Sequence, residues 1–282
     1  IFKKPLDVGG PVGLSATANI FLGQVEAPLL VRPYLASMSK NELLILMTVG
    51  MSTIAGSVMV IYTTMLSPIY GIGLIGHFLT ASLISVPAGI MYANMIIPSE
   101  TKTDFPADNS AKMYSGTMDA LTRGTQAGIE IFLNVAAMLI VVMALVFLVN
   151  ATLGVLPDFQ GLPLTMERIF GWLFAPLAWC MGIPWSESQS AGELLGVKTI
   201  LNEFVAYLYL ADTGSYALSE RSHLIMLYAL CGFANFSSVG ILLSGMSAMV
   251  PERRKDLIAV SIKALWAALL ASCMTGFIVG IL

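Results

Sequence analysis

Residues 19–28 read Asn-Ile-Phe-Leu-Gly-Gln-Val-Glu-Ala-Pro: two amides, a carboxylate and a helix-breaking Gly/Pro pair inside an apolar stretch. In hydrocarbon such groups are costly unless they face protein, water or a bound solute. Residues 232–238, Gly-Phe-Ala-Asn-Phe-Ser-Ser, form a second such interruption late in the chain. Two broken segments, one in each half, point to the midplane site of a secondary transporter. The first half offers Asn19, Gln24 and Glu26, with Thr53 and Ser57 further on; the second offers Glu203, Asn235, Ser237 and Ser238. With apolar Val58, Phe233 and Phe236 around them, this set suits a neutral, polyhydroxylated solute with an aromatic part. Carboxylates accept from ribose-type hydroxyls, amides pair with a base edge, and apolar groups cover its faces.

Plainer roles compete for the same residues. Glu26 has Arg32 as a partner near the interface, Glu203 can tie a helix end, and Asn235 with the serines can satisfy backbone groups freed by a break. Taken together these leave both interruptions unexplained. Asp212, Glu220 and Asp256 fall at expected helix ends and read as caps or solvated charges. Catalysis has little support, and the protein reads as no enzyme. The chain has no His-Glu-x-x-His or Gly-x-Ser-x-Gly pattern, and the Glu26/Glu203 pair has no accompanying nucleophile or metal set.

These groups need a membrane scaffold to hold them. Hydrophobic residues make up 57% of the chain and charged residues 11%, under half the roughly 25% of soluble domains. Mean hydropathy is +0.82. Residues 131–149 are apolar except for Asn134, long enough to cross a ~30 Å hydrocarbon core. The net charge of −3, with scattered Lys and Arg, gives nucleic acid no electrostatic footprint. Cys180, Cys231 and Cys273 read as free, buried thiols, and His77 and His223 as buried or interfacial side chains rather than ligands. The chain opens at Ile1, and the expectation is that an N-terminal portion precedes it.

The fold expected is an all-α polytopic membrane protein built as an inverted repeat of re-entrant hairpin, broken transmembrane helix and plain transmembrane helix. The first repeat covers 1–97: hairpin 12–35, broken helix 39–66 opened by a Ser39-x-x-Glu42 capping box, and helix 71–97. Residues 98–128 form a cytoplasmic linker with an amphipathic helix, and 129–150 a scaffold-type span. The second repeat covers 151–282: interfacial helix 164–182, hairpin 186–210, broken helix 221–250 and helix 257–282. Threaded with the first hairpin open to the cytoplasm, eleven basic residues fall inside: Lys3, Lys4, Arg32, Lys40, Lys102, Lys112, Arg123, Arg253, Arg254, Lys255 and Lys263. Arg168, Lys198 and Arg221 fall outside, in accord with the positive-inside rule.

Three segments carry a family resemblance. Residues 23–35 (Gly-Gln-Val-Glu-Ala-Pro-Leu-Leu-Val-Arg-Pro-Tyr-Leu) resemble the first-hairpin signature of the concentrative nucleoside transporters. Residues 201–207 (Leu-Asn-Glu-Phe-Val-Ala-Tyr) resemble the second-hairpin signature, and 232–238 that of the late broken helix. The resemblance runs over essentially the whole chain. It implies a symporter that imports nucleosides by elevator-type alternating access, coupled to a sodium gradient. Gln24 and Glu26 would bind the base with Val58 against its ring. Glu203, Asn235 and Ser238 would bind the ribose, with Phe233 beside them. A sodium ion would be held by side chains of Asn19 and Thr53 and carbonyls of Leu22, Thr53 and Ile54. Val25 stands where the family often has a hydroxyl residue, which removes a donor beside the base. The resemblance further implies three membrane helices before the first hairpin, a homotrimer in the full-length protein and a plasma-membrane location, the inner membrane in a bacterium. Proton coupling is the alternative, with an intramembrane enzyme or a passive channel behind it. Oxygens at Asn19 and Thr53 favour Na⁺, since protonation needs only a carboxylate.

Overall fold

The computed structural model describes residues 8–71, 73–99, 101–104, 115–159, 161–211 and 218–282. Lys3, Lys4, Lys112 and Asp212 lie outside them. The described chain is nearly all helical, with no strand beyond an isolated Phe159–Leu162 bridge. Its helices are α1 (Gly10–Ala18), α2 (Glu26–Leu29), α3 (Lys40–Ser52), α4 (Gly56–Tyr70), α5 (Leu74–Ile96) and α6 (Thr117–Leu153). They continue with α7 (Met166–Cys180), α8 (Trp185–Ile200), α9 (Glu203–Ala211), α10 (Glu220–Ala229), α11 (Phe236–Met249) and α12 (Arg254–Ile281).

Local chemistry sets many of these boundaries. Ser39 and Glu42 form the capping box of α3: the serine hydroxyl accepts from Glu42 N–H at 3.2 Å, and the carboxylate accepts from Ser39 N–H at 2.9 Å. Side chains of Thr165, Ser219 and Asn235 cap α7, α10 and α11. Among the described residues three stretches are long and apolar enough to cross a membrane: Lys40–Tyr70, Leu74–Ile96 and Pro251–Ile281, with mean hydropathies of 2.1, 1.6 and 2.0. The first of them contains the interruption between α3 and α4.

Helix α12 is the centre of the molecule and packs against α3, α5 and α10. It thereby holds the cores of both halves to one axis. The two histidines add cross-links between the halves. Tyr70 O–H lies 2.9 Å from His223 Nδ1, and Tyr228 O–H lies 2.8 Å from His77 Nδ1. Asp256 meets Arg253 at 2.8 Å and Lys40 at 3.2 Å, joining the start of α12 to that of α3.

Several features depart from the sequence reading. The amphipathic segment ending at 128 and the span beginning at 129 are one continuous helix, α6, of 37 residues. Gly124 and Gly128 each cost about 1 kcal/mol of helix propensity but break no backbone ladder, and no proline stops the turn there. Helix α4 runs on to Tyr70 rather than ending at 66, and Gly71 at φ +73° closes it. Cys180 is exposed, while Cys231 and Cys273 are buried. Lys198 is fully buried inside the protein, so it drops out of the basic residues assigned to the outer face.

Candidate functional site

Both interruptions are built from the same parts. In the first half, α1 ends at Ala18 with Asn19 as its C-cap, and Glu26 opens α2. The Phe21 carbonyl accepts from Gly56 N–H at 2.9 Å, pinning this turn to the first residue of α4. Helix α3 stops at Ser52, and the Thr53 hydroxyl turns back to Val49 O at 3.0 Å. In the second half α8 ends at Ile200 and Glu203 opens α9, whose first turn Asn202 Oδ1 caps by accepting from Val205 N–H at 2.9 Å. Helix α10 stops at Ala229, and Gly232 follows at φ +135°. A Cβ at Gly232 would lie 2.7 Å from Ser52 O, so glycine is required both for the backbone conformation and for the approach of one interruption to the other.

A cavity of about 390 Å³ opens between the two interruptions, within the range of small-molecule sites. Gln24, Glu26, Val58, Glu203, Phe233, Asn235 and Ser238 all line it. The structure therefore brings these seven side chains, from both halves of the sequence, to one cavity. At its centre the buried Glu203 carboxylate accepts from Tyr62 O–H at 2.8 Å and from Asn235 Nδ2 at 2.9 Å. Asn235 also accepts, through Oδ1, from Ser238 N–H at 2.7 Å. Asn235 thus satisfies a backbone group freed by the break, as the plainer reading expects, and the same side chain donates to Glu203. Gln24 and Ser237 line the cavity, and their Oε1 and Oγ atoms are buried without a protein partner.

The remaining wall is shaped by packing. Glu26 folds back against Gly23 and forms no ion pair with Arg32 among the described residues. Val25 is buried, lines the cavity and packs on Gly245, where a Cβ would lie 2.6 Å from its Cγ1. Phe236, read as a cover for the solute, instead points outward, 43% exposed and off the cavity wall. As the first residue of α11 it faces away from the interruption that Asn235 and Ser237 line.

Tyr62 went unidentified in the sequence, although its signal was there: it lies four residues after Val58, on the same face of α4. The cation candidates lie beside the cavity rather than in its wall. Asn19 and Ile54 are fully buried and Thr53 nearly so, whereas the Leu22 side chain is 38% exposed and only its carbonyl is available as a ligand. Both polar atoms of the Asn19 amide are buried without a partner. An unsatisfied buried amide costs about 1–3 kcal/mol. A hard cation taking oxygen ligands at the end of a broken helix would satisfy Asn19 Oδ1, though not the Nδ2 donor.

A largely apolar cavity with a few convergent polar groups, set between two helix interruptions among long apolar helices, is the form of a candidate solute site in a membrane protein. Residues 77–280 match the family described as "Na+ dependent nucleoside transporter C-terminus", and the chain belongs to that family. Nucleoside permease NupC of Helicobacter pylori is 37% identical, over 99% of this chain and 66% of its own length. Sodium/nucleoside cotransporter 1 of Rattus norvegicus is 35% identical, over 95% of this chain and 44% of its own. A solved structure of CNTnw in an inward-facing substrate-bound state matches with a TM-score of 0.82 at 39% identity, covering 99% of this chain and 66% of that one. These relatives are transporters, not enzymes. The chain spans 66% of the bacterial permease and under half of the rat protein.

Proposed function

We propose that the protein is a secondary active symporter that imports nucleosides, coupled to a sodium gradient, by elevator-type alternating access. The observation that carries this is the shared cavity, which sets Gln24 and Glu26 from one half against Glu203 and Asn235 from the other. Gln24 and Glu26 read the base edge, Val58 and Phe233 cover its faces, and Glu203, Asn235 and Ser238 take the ribose hydroxyls. Sodium sits between Asn19, Thr53 and the carbonyls of Leu22 and Ile54. From there it orders the turn that carries Gln24 and Glu26.

In this reading α1–α2 and α8–α9 are re-entrant hairpins of an inverted repeat that moves against a scaffold including α6. The full-length protein is a homotrimer in the plasma membrane, the inner membrane if the cell is bacterial. The family description and the rat relative's name both specify sodium, which supports the choice of ion. Sodium that raises nucleoside affinity must itself be bound more tightly, by the same factor, when nucleoside is present.

Equilibrium binding of uridine to the full-length protein, with and without Na⁺, is the test. Glu203→Gln and Asn235→Ala should each weaken binding, and unchanged affinity in both would sink the site. Asn19→Ala should raise the Na⁺ concentration needed for half-maximal binding about tenfold or more, a loss of ~1.4 kcal/mol. Full uptake in Na⁺-free buffer at fixed pH would refute sodium coupling.

A further inference from the structure

Lys198 is a buried charge that solute binding does not use. It lies in the last turn of α8, wholly inside the protein. Its Nζ donates to Ala229 O at 2.9 Å and to Ser272 Oγ at 2.7 Å. Ala229 is the final residue of α10, where the second-half interruption begins. Among the described residues no carboxylate lies within ion-pair distance of the ammonium. Carbonyl and hydroxyl oxygens receive the charge instead, as they would a bound inorganic cation.

Neighbouring carbonyls of α10 are satisfied in a similar way. Leu227 O accepts from Tyr207 O–H at 2.8 Å, and Tyr228 O from the Thr275 hydroxyl at 3.0 Å. Helix C-termini carry unpaired carbonyls and partial negative charge, and a cation there is favourable. The first half differs at the corresponding place. Helix α3 ends at Ser52, its last carbonyls at Gly50, Met51 and Ser52 receive no side-chain donor among the described residues, and the nearby turn carries the unpartnered Asn19 amide. One half supplies an amide open to a ligand at the end of the hairpin's entering helix; the other supplies an ammonium.

We propose that Lys198 is a tethered cation, occupying at the second interruption the place that a sodium ion takes at the first. This rests on the sodium reading given above. The fixed ammonium holds α8, the end of α10 and α12 together, which positions Glu203 and Asn235 permanently. The Gln24/Glu26 side, by contrast, waits for a dissociable ion. Lys198 is therefore a positioning residue, and nucleoside binding responds to one sodium ion rather than two.

The test is uridine binding by the full-length protein as NaCl is varied against choline chloride at constant ionic strength. Wild type should titrate with a Hill coefficient of about one, the value for one coupled ion. Lys198→Ser removes the ammonium, leaving Ala229 O and Ser272 Oγ to a soluble ion. Its uridine affinity should fall at least about tenfold at low Na⁺ and recover at high Na⁺, with a Hill coefficient rising toward about two. An affinity that falls by the same factor at every Na⁺ concentration, or does not change, overturns the proposal. If Lys198→Ser does not fold, binding of ²²Na⁺ to wild type decides: saturation at one ion per chain supports the assignment, and two ions per chain overturn it. A wild type indifferent to Na⁺ overturns the sodium reading of the first half, while a response gained only in Lys198→Ser still upholds the role of Lys198.

Discussion

Tyr62 donates its phenol O–H to Glu203 Oε1 at 2.8 Å, joining residues 141 positions apart in sequence. The bond crosses from the first half to the second at the wall of the cavity. It leaves Glu203 with one oxygen held by each half, since Oε2 takes Asn235 Nδ2. The carboxylate is therefore oriented before any solute arrives, which reduces what binding must order.

Tyr62→Phe should accordingly weaken uridine binding. Removing one partner from a buried acceptor costs about 1–3 kcal/mol, so a loss of roughly tenfold or more is expected. Isothermal titration at saturating Na⁺ measures it. An affinity equal to wild type would show that the phenol does not orient the carboxylate.

Asn235 performs two tasks that substitution can separate. Asn235→Ser keeps an oxygen to cap α11 but loses the amide that donates to Glu203. Asn235→Ala loses both. Solute affinity should fall in both variants, while thermal stability should fall further in the alanine variant through the lost cap, worth about 0.5–2 kcal/mol. Melting curves without solute distinguish the two. Equal stability would remove the capping role.

Val25, in the cavity wall, packs against Gly245 behind it. Gly245→Ala puts a methyl 2.6 Å from Val25 Cγ1, which must displace the valine toward the solute. Uridine affinity should drop, and Val25→Ala in the same chain should recover much of it. A double-mutant cycle measures the coupling, expected at about 0.5–3 kcal/mol for residues in contact. Strict additivity would place the two residues in independent parts of the wall.

Much of the candidate site was legible in the sequence because membrane chemistry makes polar residues conspicuous. Gln24, Glu26, Glu203 and Asn235 sit in apolar surroundings beside Gly or Pro, where only a solute, water or a partner makes them tolerable. The capping box at Ser39 and Glu42 was equally readable, since both members lie within one turn. Phe236 was misread because a residue at the head of a helix can face either way, and only the orientation of α11 decides which. Tyr62 and Lys198 were passed over for the converse reason: their partners, Glu203, Ala229 and Ser272, lie 141, 31 and 74 residues away.

By itself, then, the sequence determined the solvent of this protein, the places where its helices start and break, and the polar groups that need a partner. Those properties follow from side-chain polarity and from backbone rules acting over a few residues. Only the tertiary structure decided which groups meet: that one interruption rests on the other through Gly232, that α6 is unbroken, and that Lys198 meets Ala229 and Ser272. Such pairings depend on the packing of α12 against both halves. Close packing of this kind joins residues far apart in the chain, and no local pattern encodes it.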